Sequence, residues 1–295
     1  METIIKTARA EAVCRTLGGE LISYKLDGKE YVWEGDEKYW TGHAPVLFPT
    51  VGSTFEESVK FEGVAYPLKK HGFARKMEFN LIEATGDKTV YELADNEDTK
   101  KVYPYSFKLI ITHKITDEGF RTEYKVVNTD KKDICFCIGG HPGFACPMNE
   151  GEQFSDYKLV FEKVENEDVI YTTNYGGGYI DASLPAVDKL KNTNEWLLCH
   201  EDYDVDALLT KKLQSRKVKL VHKTTGKGIE FDFTGFNALG VWTPPGKKAP
   251  FVCIEPWNGL PAHLGETGNF EDKPYAITLG VGEEYTVGYS VKVIE

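Results

Sequence analysis

The chain is dominated by segments in which apolar and polar residues alternate on both sides of a short turn. In LISYKLDGKEYVWE, for example, Asp27-Gly28 supplies the positive φ angles that a tight primed turn requires. Further pairs of alternating arms, rich in β-branched and aromatic residues, bend around 85–88, 117–119, 224–227 and Gly282-Glu283. Consecutive antiparallel hairpins of this kind predict an all-β fold class, built as two large packed sheets or a barrel, rather than alternating βαβ units.

Helical periodicity is faint along the whole sequence. It favours only two short helices, at 186–191 and 206–214. No linker rich in serine, proline or glycine and no fixed-period repeat divides the 295 residues. We therefore expect a single domain over 1–295, which is long for one unit but within the range of large β-sandwiches.

The balance of charge argues against two classes of partner. The 35 Lys and Arg residues face 46 Asp and Glu residues, which gives a net charge of −11. Such an acidic chain is poorly suited to non-specific binding of nucleic acid or of an anionic membrane surface. The N-terminal segment lacks the apolar run of a signal peptide, and no apolar stretch of about 18 residues follows. We expect a cytoplasmic monomer or weak dimer without nucleic-acid or membrane partners.

The cysteines do not form a convincing disulfide or metal pattern. A chain of this length has enough core without disulfides, and the C-x-C pair of one strand has poor disulfide geometry and is weak evidence for zinc. We predict that all six are free thiols that fill small core volumes. They are Cys14, Cys135, Cys137, Cys146, Cys199 and Cys253.

Four segments differ from ordinary strands and turns, because an apolar strand runs into Gly or Pro beside an ionisable or aromatic residue. They are HAPVLFPTVGS (43–53), KKHGFAR (69–75), IGGHPGF (138–144) and FVCIEPWNG (251–259). Glycine permits close backbone approach and proline ends a ladder, so the polar side chains at these strand ends should lie on a fixed rim. Those side chains are His71, Arg75, His141 and Glu255.

Local sequence leaves more than one role open for each of these residues. The apolar surroundings of Glu255 would raise the pKa of its carboxyl towards that of a general base, whereas the simpler reading is a strand-end ion pair with a surface lysine. His141 and His71 could each be a satisfied buried histidine, a catalytic acid or a metal ligand. Arg75 suits either ligand binding or a structural ion pair.

The remaining histidines have weaker claims. His113 and His222 occupy positions in alternating strands that suggest an exposed face, and His200 lies in polar surroundings. His43 and His263 keep only an outside chance of lining a cleft.

Taken in order, the four segments resemble the aldose 1-epimerase (galactose mutarotase) superfamily, and most closely its LacX-like branch. The resemblance runs from EYVWEGDEKYW through APVLFPTVG, KKHGFAR, GGHPGF, EDYDVDALL and GVWTP to FVCIEPWNG. HGFAR, GGHPGF and CIEPW in this order are a specific signal. The resemblance implies a large antiparallel β-supersandwich with an open carbohydrate cleft, a monosaccharide substrate, and no metal or organic cofactor.

The resemblance also implies a role for each matching residue. Glu255 would be the base, His141 the acid and His71 an assisting group, while Arg75 and Asp206 would bind sugar hydroxyls. Two further aspartates in the same acidic segment are alternatives to Asp206. These residue types suit the interconversion of α and β anomers, in which a base removes the proton of the anomeric hydroxyl and an acid protonates the ring oxygen.

Two expectations concern the surroundings of the acid. His141 should be protonated near neutrality, because carboxylates such as Glu255 and Asp206 would raise its pKa. Aromatic rings could stack on a sugar face, although a core position is the alternative for each. The candidates are Trp33, Trp40, Trp242 and Trp257.

Ser53 departs from the pattern of the branch, whose members commonly carry an arginine just after LFP-x-VG. Relatives that act on phosphosugars use additional arginines to grip the phosphate, so a cleft with Arg75 as its one obvious guanidinium favours an uncharged hexose such as glucose or galactose. Lys69 and Lys70 could compensate for the missing arginine.

Three hypotheses therefore follow. The first is a mutarotase that acts on a free aldose, with a hexose phosphate as the variant substrate, and the second is a non-catalytic sugar-binding or sensing protein on the same scaffold. The third is a metal-dependent β-sandwich enzyme with His71, His141 and Glu255 as a facial triad, against which the absence of an H-x-H ligand pair argues.

Overall fold

The computed structural model describes residues 1–173, 178–181 and 183–295, which contain twenty-four strands, one α-helix and five 3-10 helices. The strands are β1 (Glu2–Lys6), β2 (Ala10–Arg15), β3 (Glu20–Leu26), β4 (Lys29–Glu30), β5 (Val46–Leu47), β6 (Ser58–Phe61), β7 (Val64–Pro67), β8 (Asn80–Ala84), β9 (Lys88–Ala94), β10 (Phe107–Thr116), β11 (Gly119–Asn128), β12 (Ile134–Phe136), β13 (Ile138–Gly140), β14 (Gly143–Ala145), β15 (Tyr157–Thr173), β16 (Tyr179–Ile180), β17 (Val187–Leu197), β18 (Leu208–Thr210), β19 (Lys217–His222), β20 (Gly228–Asp232), β21 (Ala238–Trp242), β22 (Phe251–Asn258), β23 (Ile277–Leu279) and β24 (Glu284–Ile294). The helix α1 spans Glu97–Lys100, and the 3-10 helices span Phe55–Glu57, Ala74–Lys76, Phe154–Asp156, His200–Tyr203 and Phe270–Asp272. None of the helices in these ranges is long and apolar enough to cross a membrane.

One large antiparallel sheet organises the molecule. Its strands follow the order β5-β13-β22-β21-β18-β15-β19-β20-β24-β11-β10-β9-β8, and β14, β16 and β17 pair at its sides. Strands β1 to β4 form a second sheet in chain order, and β6-β7 and β12-β23 form two small ones. The prediction of an all-β fold made of antiparallel strands is confirmed.

Most of the predicted hairpins are present. Asp27 and Gly28 have φ angles of +48° and +83° and connect β3 to β4, as a primed turn requires. The predicted turns at 85–88, 117–119 and 224–227 join β8 to β9, β10 to β11 and β19 to β20. Alternation and turn chemistry act over a few residues, so they identify these local pairings.

Two kinds of local prediction are wrong. The C-terminal arms bend near Gly282, but they do not pair with each other, because β23 pairs with β12 and β24 lies between β11 and β20. The segments predicted as helices at 186–191 and 206–214 instead contribute to β17 and contain β18. In each case pairing with another strand overrides a weak local preference.

The core consists largely of aromatic and aliphatic side chains. Its main cluster of buried residues extends along the chain from Ile5 to Val293. His113 belongs to this interior and not to the exposed face predicted for it: its ring nitrogens contact Thr122 Oγ1 at 3.0 Å and the Gly19 carbonyl oxygen at 2.8 Å. The alternation of β10 was recognised correctly, but the histidine occupies the inward face of that strand.

All six cysteines are free thiols, as predicted. Five of them are buried and Cys199 is half-buried. Cys253 lies in a small second cluster with Trp33, Ala249 and Phe251, against which Trp40 and Trp242 pack. Trp40 and Trp242, which pack on this cluster, also line the site described next.

Candidate active site

Glu255 lies in the middle of β22, a strand in which all eight residues are buried. β13 pairs with β22 at Trp257, and β14 pairs with it at Cys253, in one continuous register. His141 occupies the break between β13 and β14, so that register places it opposite Glu255. Nε2 of His141 accordingly lies 3.2 Å from Oε2 of Glu255. The ladder of the large sheet therefore brings together two predicted site residues that are more than a hundred positions apart.

The segment that holds His141 is itself anchored by a residue that sequence analysis missed. The backbone N–H of His141 donates to the carbonyl oxygen of Pro45 at 3.0 Å. Glu20, only 3% exposed, accepts from the N–H groups of His43 and Ala44, both at 2.9 Å. The available signal was an ionisable residue directly after a Gly-Gly pair at the start of an apolar strand.

Both ionisable groups of the pair are removed from water, with 2% of the Glu255 side chain and 9% of the His141 side chain exposed. Burial raises the pKa of Glu255 well above its ordinary value. Burial, and next the positive charge of Arg75, lowers the pKa of His141 to about 3. The prediction that neighbouring carboxylates raise the pKa of His141 is therefore wrong, because desolvation outweighs them. The surroundings favour a pair that holds one proton.

His71 is held in an unusual backbone conformation. It has φ = +66° and is followed by Gly72 at +67°, where a Cβ atom would lie 2.1 Å from the carbonyl oxygen of Phe48. The N–H of Gly52 donates to Nδ1 of His71 at 3.1 Å. Burial and then the charge of Arg75 lower the pKa of His71 well below its ordinary value. A neutral ring whose Nδ1 accepts must carry its proton on Nε2, so His71 is a fixed hydrogen-bond donor.

The part of the cleft outside the paired strands, here called the loop side, carries two cations, Arg75 and Lys70, and one carboxylate, Asp206. Arg75, in the 3-10 helix Ala74–Lys76, donates from Nη2 to the carbonyl oxygen of Lys70 at 3.2 Å. Nζ of Lys70 lies 3.5 Å from Oδ2 of Asp206. Asp206 is 6% exposed and has φ = +153°, a strained angle for a residue with a side chain. The structure thus brings both predicted hydroxyl-binding residues to the same site as the glutamate and the histidines.

Ser53 lies beside this charged group. A Cβ atom on Gly178 would be 3.1 Å from Nζ of Lys70, 3.3 Å from Oγ of Ser53 and 3.4 Å from Oδ2 of Asp206. Lys70 therefore places a positive charge close to the position where an arginine was expected. Lys69, the other lysine considered, is absent from the described lining of the cleft and lines a neighbouring groove to which Lys70 and Arg75 also contribute.

These side chains line an open cleft with a volume of about 210 Å³. This is below the ~300–1,000 Å³ that is usual for sites of drug-sized ligands, so the cleft suits a smaller molecule. Trp40 and Trp242 flank His141, with ring centroids 4.9 Å and 5.4 Å away, and Trp257 also lines the cleft. Four lining side-chain atoms are buried and have no hydrogen-bond partner among the described residues: Arg75 Nε, His141 Nδ1, Glu255 Oε2 and Trp257 Nε1. Such a mixture of donors and acceptors suits a small ligand with several hydroxyl groups.

Three other candidates are absent from the described lining of this cleft. His43 contacts the carbonyl oxygen of Trp33 through Nδ1 at 2.8 Å, and Trp33 stacks on Phe251 with ring centroids 4.3 Å apart. His263 is half-buried elsewhere. Among the described residues, His43 and His263 therefore do not realise their outside chance of lining the cleft.

The possible metal ligands in the structure differ from the triad proposed from sequence, which was His71, His141 and Glu255. In the described part of the chain, His141 and Glu255 form a group of possible metal ligands with Cys253 and not with His71. One ligand atom of each of the three lies within 4.8 Å of the others. Nδ1 of His71 is engaged by the N–H of Gly52.

Comparison with known proteins gives concordant results. The family model described as aldose 1-epimerase matches residues 2–292. The protein LacX, plasmid, of Lactococcus lactis is 35% identical over 270 residues, which are 88% of each chain. A galactose mutarotase-related enzyme from Lactobacillus acidophilus superposes with a TM-score of 0.92 at 28% identity, covering 100% of this chain and 98% of the other. A galactose mutarotase-like protein from Lactobacillus casei gives a TM-score of 0.92 at 28% identity, covering 100% of both chains. The expected galactose mutarotase-like β-supersandwich is confirmed.

Proposed function

The chain belongs to the aldose 1-epimerase family, and we propose that it is a mutarotase that interconverts the α and β anomers of a free aldohexose such as glucose or galactose. The observation that carries this proposal is the contact of 3.2 Å between a buried carboxyl group and a buried imidazole, Glu255 and His141, on the wall of a polar cleft. A carboxyl group and an imidazole this close together can act on the same sugar molecule, one as a general base and the other as a general acid.

Glu255 is the base and His141 the acid in the proposed reaction. The Glu255 carboxylate takes the proton of the anomeric O1 hydroxyl while the His141 imidazolium gives a proton to the ring oxygen O5. The C1–O5 bond breaks, C1 becomes an aldehyde carbon, and rotation about C1–C2 presents its other face. Ring closure reverses both proton transfers, so the pair ends in its starting state.

The electrostatics of the site assist ring opening in this scheme. Before the step the pair is carboxylate and imidazolium, and after it the pair is a neutral carboxyl and a neutral imidazole. Burial favours the neutral forms, since it raises the pKa of Glu255 and lowers that of His141. Ring closure then regenerates the charged pair, so the cycle needs no proton transfer directly between Glu255 and His141.

The loop side of the cleft binds the sugar hydroxyls. Arg75 donates to these hydroxyls and Asp206 accepts from them, since both side chains line the cleft. His71 assists as an Nε2–H donor to a sugar oxygen, because its Nδ1 is occupied by Gly52. The rings of Trp40, Trp242 and Trp257 offer apolar surface to the C–H face of the sugar.

The proposal treats residues 1–295 as one carbohydrate-binding and epimerase unit, which the continuous core from Ile5 to Val293 supports. It also includes a cytoplasmic monomer or weak dimer that needs no cofactor for this proton-transfer chemistry. Light scattering of the purified protein tests the oligomeric state directly.

Polarimetry of freshly dissolved α-anomers tests the activity. The protein should accelerate the decay of optical rotation, and Glu255→Gln should lower kcat by about 10² to 10⁴, the usual contribution of a general base. Glu165→Gln is the matched control, because Glu165 is equally buried but accepts from the backbone of Gln214 and Ser215 outside the cleft. Saturable sugar binding without acceleration for any aldose would identify a sugar-binding protein instead and contradict the proposal.

A hexose phosphate is the second candidate substrate. Lys70 reaches the cleft beside Ser53 and is half-exposed, with one carboxylate, Asp206, at 3.5 Å. An ammonium at this place can meet a phosphate in the absence of the arginine expected there. A panel that includes hexose 6-phosphates beside free hexoses separates the two candidates by kcat/KM.

A further inference from the structure

The wall that carries the proposed acid and base contains a third functional group, the thiol of Cys253. Cys253 and Glu255 are two residues apart on β22, so the period of a strand places both side chains on one face. The register with β13 and β14 brings His141 opposite Glu255 on that same wall. One nitrogen, one sulfur and one oxygen ligand atom consequently lie within 4.8 Å of one another.

We infer that His141, Cys253 and Glu255 form a binding site for a divalent transition-metal ion of the zinc type, and that such an ion inhibits the protein by occupying its acid and base. The second part of this inference rests on the proposed function, whereas the first part does not. Imidazole, thiolate and carboxylate are the three ligand types that zinc accepts in proteins.

The geometry supports coordination. Zinc bonds to these ligands are ~2.0–2.3 Å long, so the ligand atoms of a tetrahedral site stand ~3.3–3.7 Å apart. Nε2 of His141 and Oε2 of Glu255 are already 3.2 Å apart, and one ligand atom of each of the three residues lies within 4.8 Å of those of the other two. His141 and Glu255 line the open cleft, which gives an ion a route of entry and room for a water or a sugar oxygen as the fourth ligand, while Cys253 is fully buried and absent from the described lining.

Independent support comes from unsatisfied polar atoms. Oε2 of Glu255 is buried and has no hydrogen-bond partner in the described part of the structure, since the approach of His141 lacks hydrogen-bond geometry. Nδ1 of His141 is likewise without a partner there. A buried acceptor is costly when it has no partner, and a cation that enters through the cleft removes that cost.

Binding exchanges protons for the metal ion. The thiol of Cys253 loses its proton as the sulfur–metal bond forms, and Glu255 loses the proton that the pair shares, while His141 binds through a lone pair. Two protons therefore leave for each ion bound, and they pass to solvent.

Cobalt(II) is the probe for the binding part, because thiolate-to-cobalt charge transfer gives an absorption band that reports sulfur coordination. The experiment uses Cys199→Ala protein, which lacks the half-exposed thiol and keeps Cys253. One equivalent of Co²⁺ should produce the band, and excess Zn²⁺ should abolish it. The double variant Cys199→Ala, Cys253→Ala should show no band.

Inhibition is measured on the same proteins by polarimetry with added Zn²⁺. The Zn²⁺ concentration that halves the activity of each variant should rise at least about tenfold when Cys253 is replaced, since even weaker supporting contacts of a metal site are worth ~10–100-fold. If the double variant does not fold, Glu255→Gln in the Cys199→Ala background should weaken Co²⁺ binding at least about tenfold.

The absence of a band, or an unchanged band in the double variant, would overturn the metal site whatever the activity of the protein. A normal band in a protein that accelerates no sugar would instead leave the site standing and refute the proposed function. Equal zinc sensitivity of the Cys199→Ala protein and the double variant would overturn the link between the site and inhibition.

Discussion

The two sides of the cleft are built in different ways. On the ladder side, Glu255 and His141 are positioned by regular pairing of β13, β14 and β22. On the loop side, His71 and Asp206 have φ angles of +66° and +153°, which residues with side chains rarely adopt. Strand register fixes the backbone positions of the two ladder residues, so only side-chain torsions change the distance between their functional groups. The loop residues depend instead on unfavourable backbone conformations that the surrounding structure must hold in place.

This difference suggests that one side of the cleft serves proton transfer and the other serves sugar recognition. Proton transfer needs two groups at a fixed distance, which a paired sheet provides, and recognition of several hydroxyl groups needs side chains from different directions, which loops provide. We therefore expect changes on the ladder side to act on kcat and changes on the loop side to act mainly on KM. The predictions below test that expectation, from the largest effect to the smallest.

The pH dependence of kcat/KM tests the ladder side and should show the largest effect. The proposed mechanism requires one proton on the pair. Below about pH 3 a second proton binds His141, whose pKa is lowered to about 3, and the base is lost. At high pH the shared proton leaves Glu255, whose pKa is raised well above the ordinary carboxyl value, and the acid is lost. The rate above the spontaneous reaction should fall about tenfold per pH unit beyond either limit.

The acid limb is the informative part of this profile. Activity that rises from pH 5 to pH 7 with an inflection near the ordinary histidine pKa would mean that His141 titrates in contact with water. That result would contradict a sheet-buried pair.

The sequence predicted the members of the site more successfully than their environment. The Gly- and Pro-bounded motifs identified His71, Arg75, His141 and Glu255 because such motifs mark where strands end and side chains become available. The pKa of His141 was not predictable in this way, since desolvation sums over residues that only the fold brings close. Strand β18 was not predictable from local sequence either, because its segment has a weak helical pattern. It forms a strand because it pairs with β15 and β21, which only the fold brings close.

Arg75→Ala tests the loop side and should raise KM by about 10- to 150-fold while kcat changes little. The loss corresponds to a hydrogen bond from a charged group, ~1.5–3 kcal/mol, and each 1.4 kcal/mol is tenfold. Asp206→Asn should act in the same direction with a smaller effect, because the amide keeps the shape of the carboxylate and can still accept a hydrogen bond through its carbonyl oxygen. Steady-state polarimetry over a range of sugar concentrations separates KM from kcat.

Arg121→Ala is the matched control for Arg75, since Arg121 is exposed on β11 and contacts Glu123 and Ser290. It should change neither constant. A fall in kcat with constant KM in Arg75→Ala would show that the loop side takes part in proton transfer, and the division between the two sides would fail.

His71→Asn should give the smallest change and decides whether His71 acts as a neutral donor. Asparagine tolerates the left-handed φ of +66° and can still accept from the N–H of Gly52 through its carbonyl oxygen, so the loop should keep its conformation and the melting temperature should be nearly unchanged. It cannot place a donor where Nε2–H lies, and the loss of one neutral hydrogen bond, ~0.5–1.5 kcal/mol, corresponds to about a 2- to 12-fold fall in kcat/KM.

The shape of the pH profile is the critical readout for this variant. Because the pKa of His71 is lowered well below its ordinary value, the ring is neutral throughout the working range, and removing it should scale the profile without moving either limb. His71→Gln, whose longer amide reaches further towards the position of Nε2, should recover part of the loss. A shifted acid limb in His71→Asn would instead mean that His71 exchanges protons with the pair, and the chemistry would then extend from the ladder into the loop.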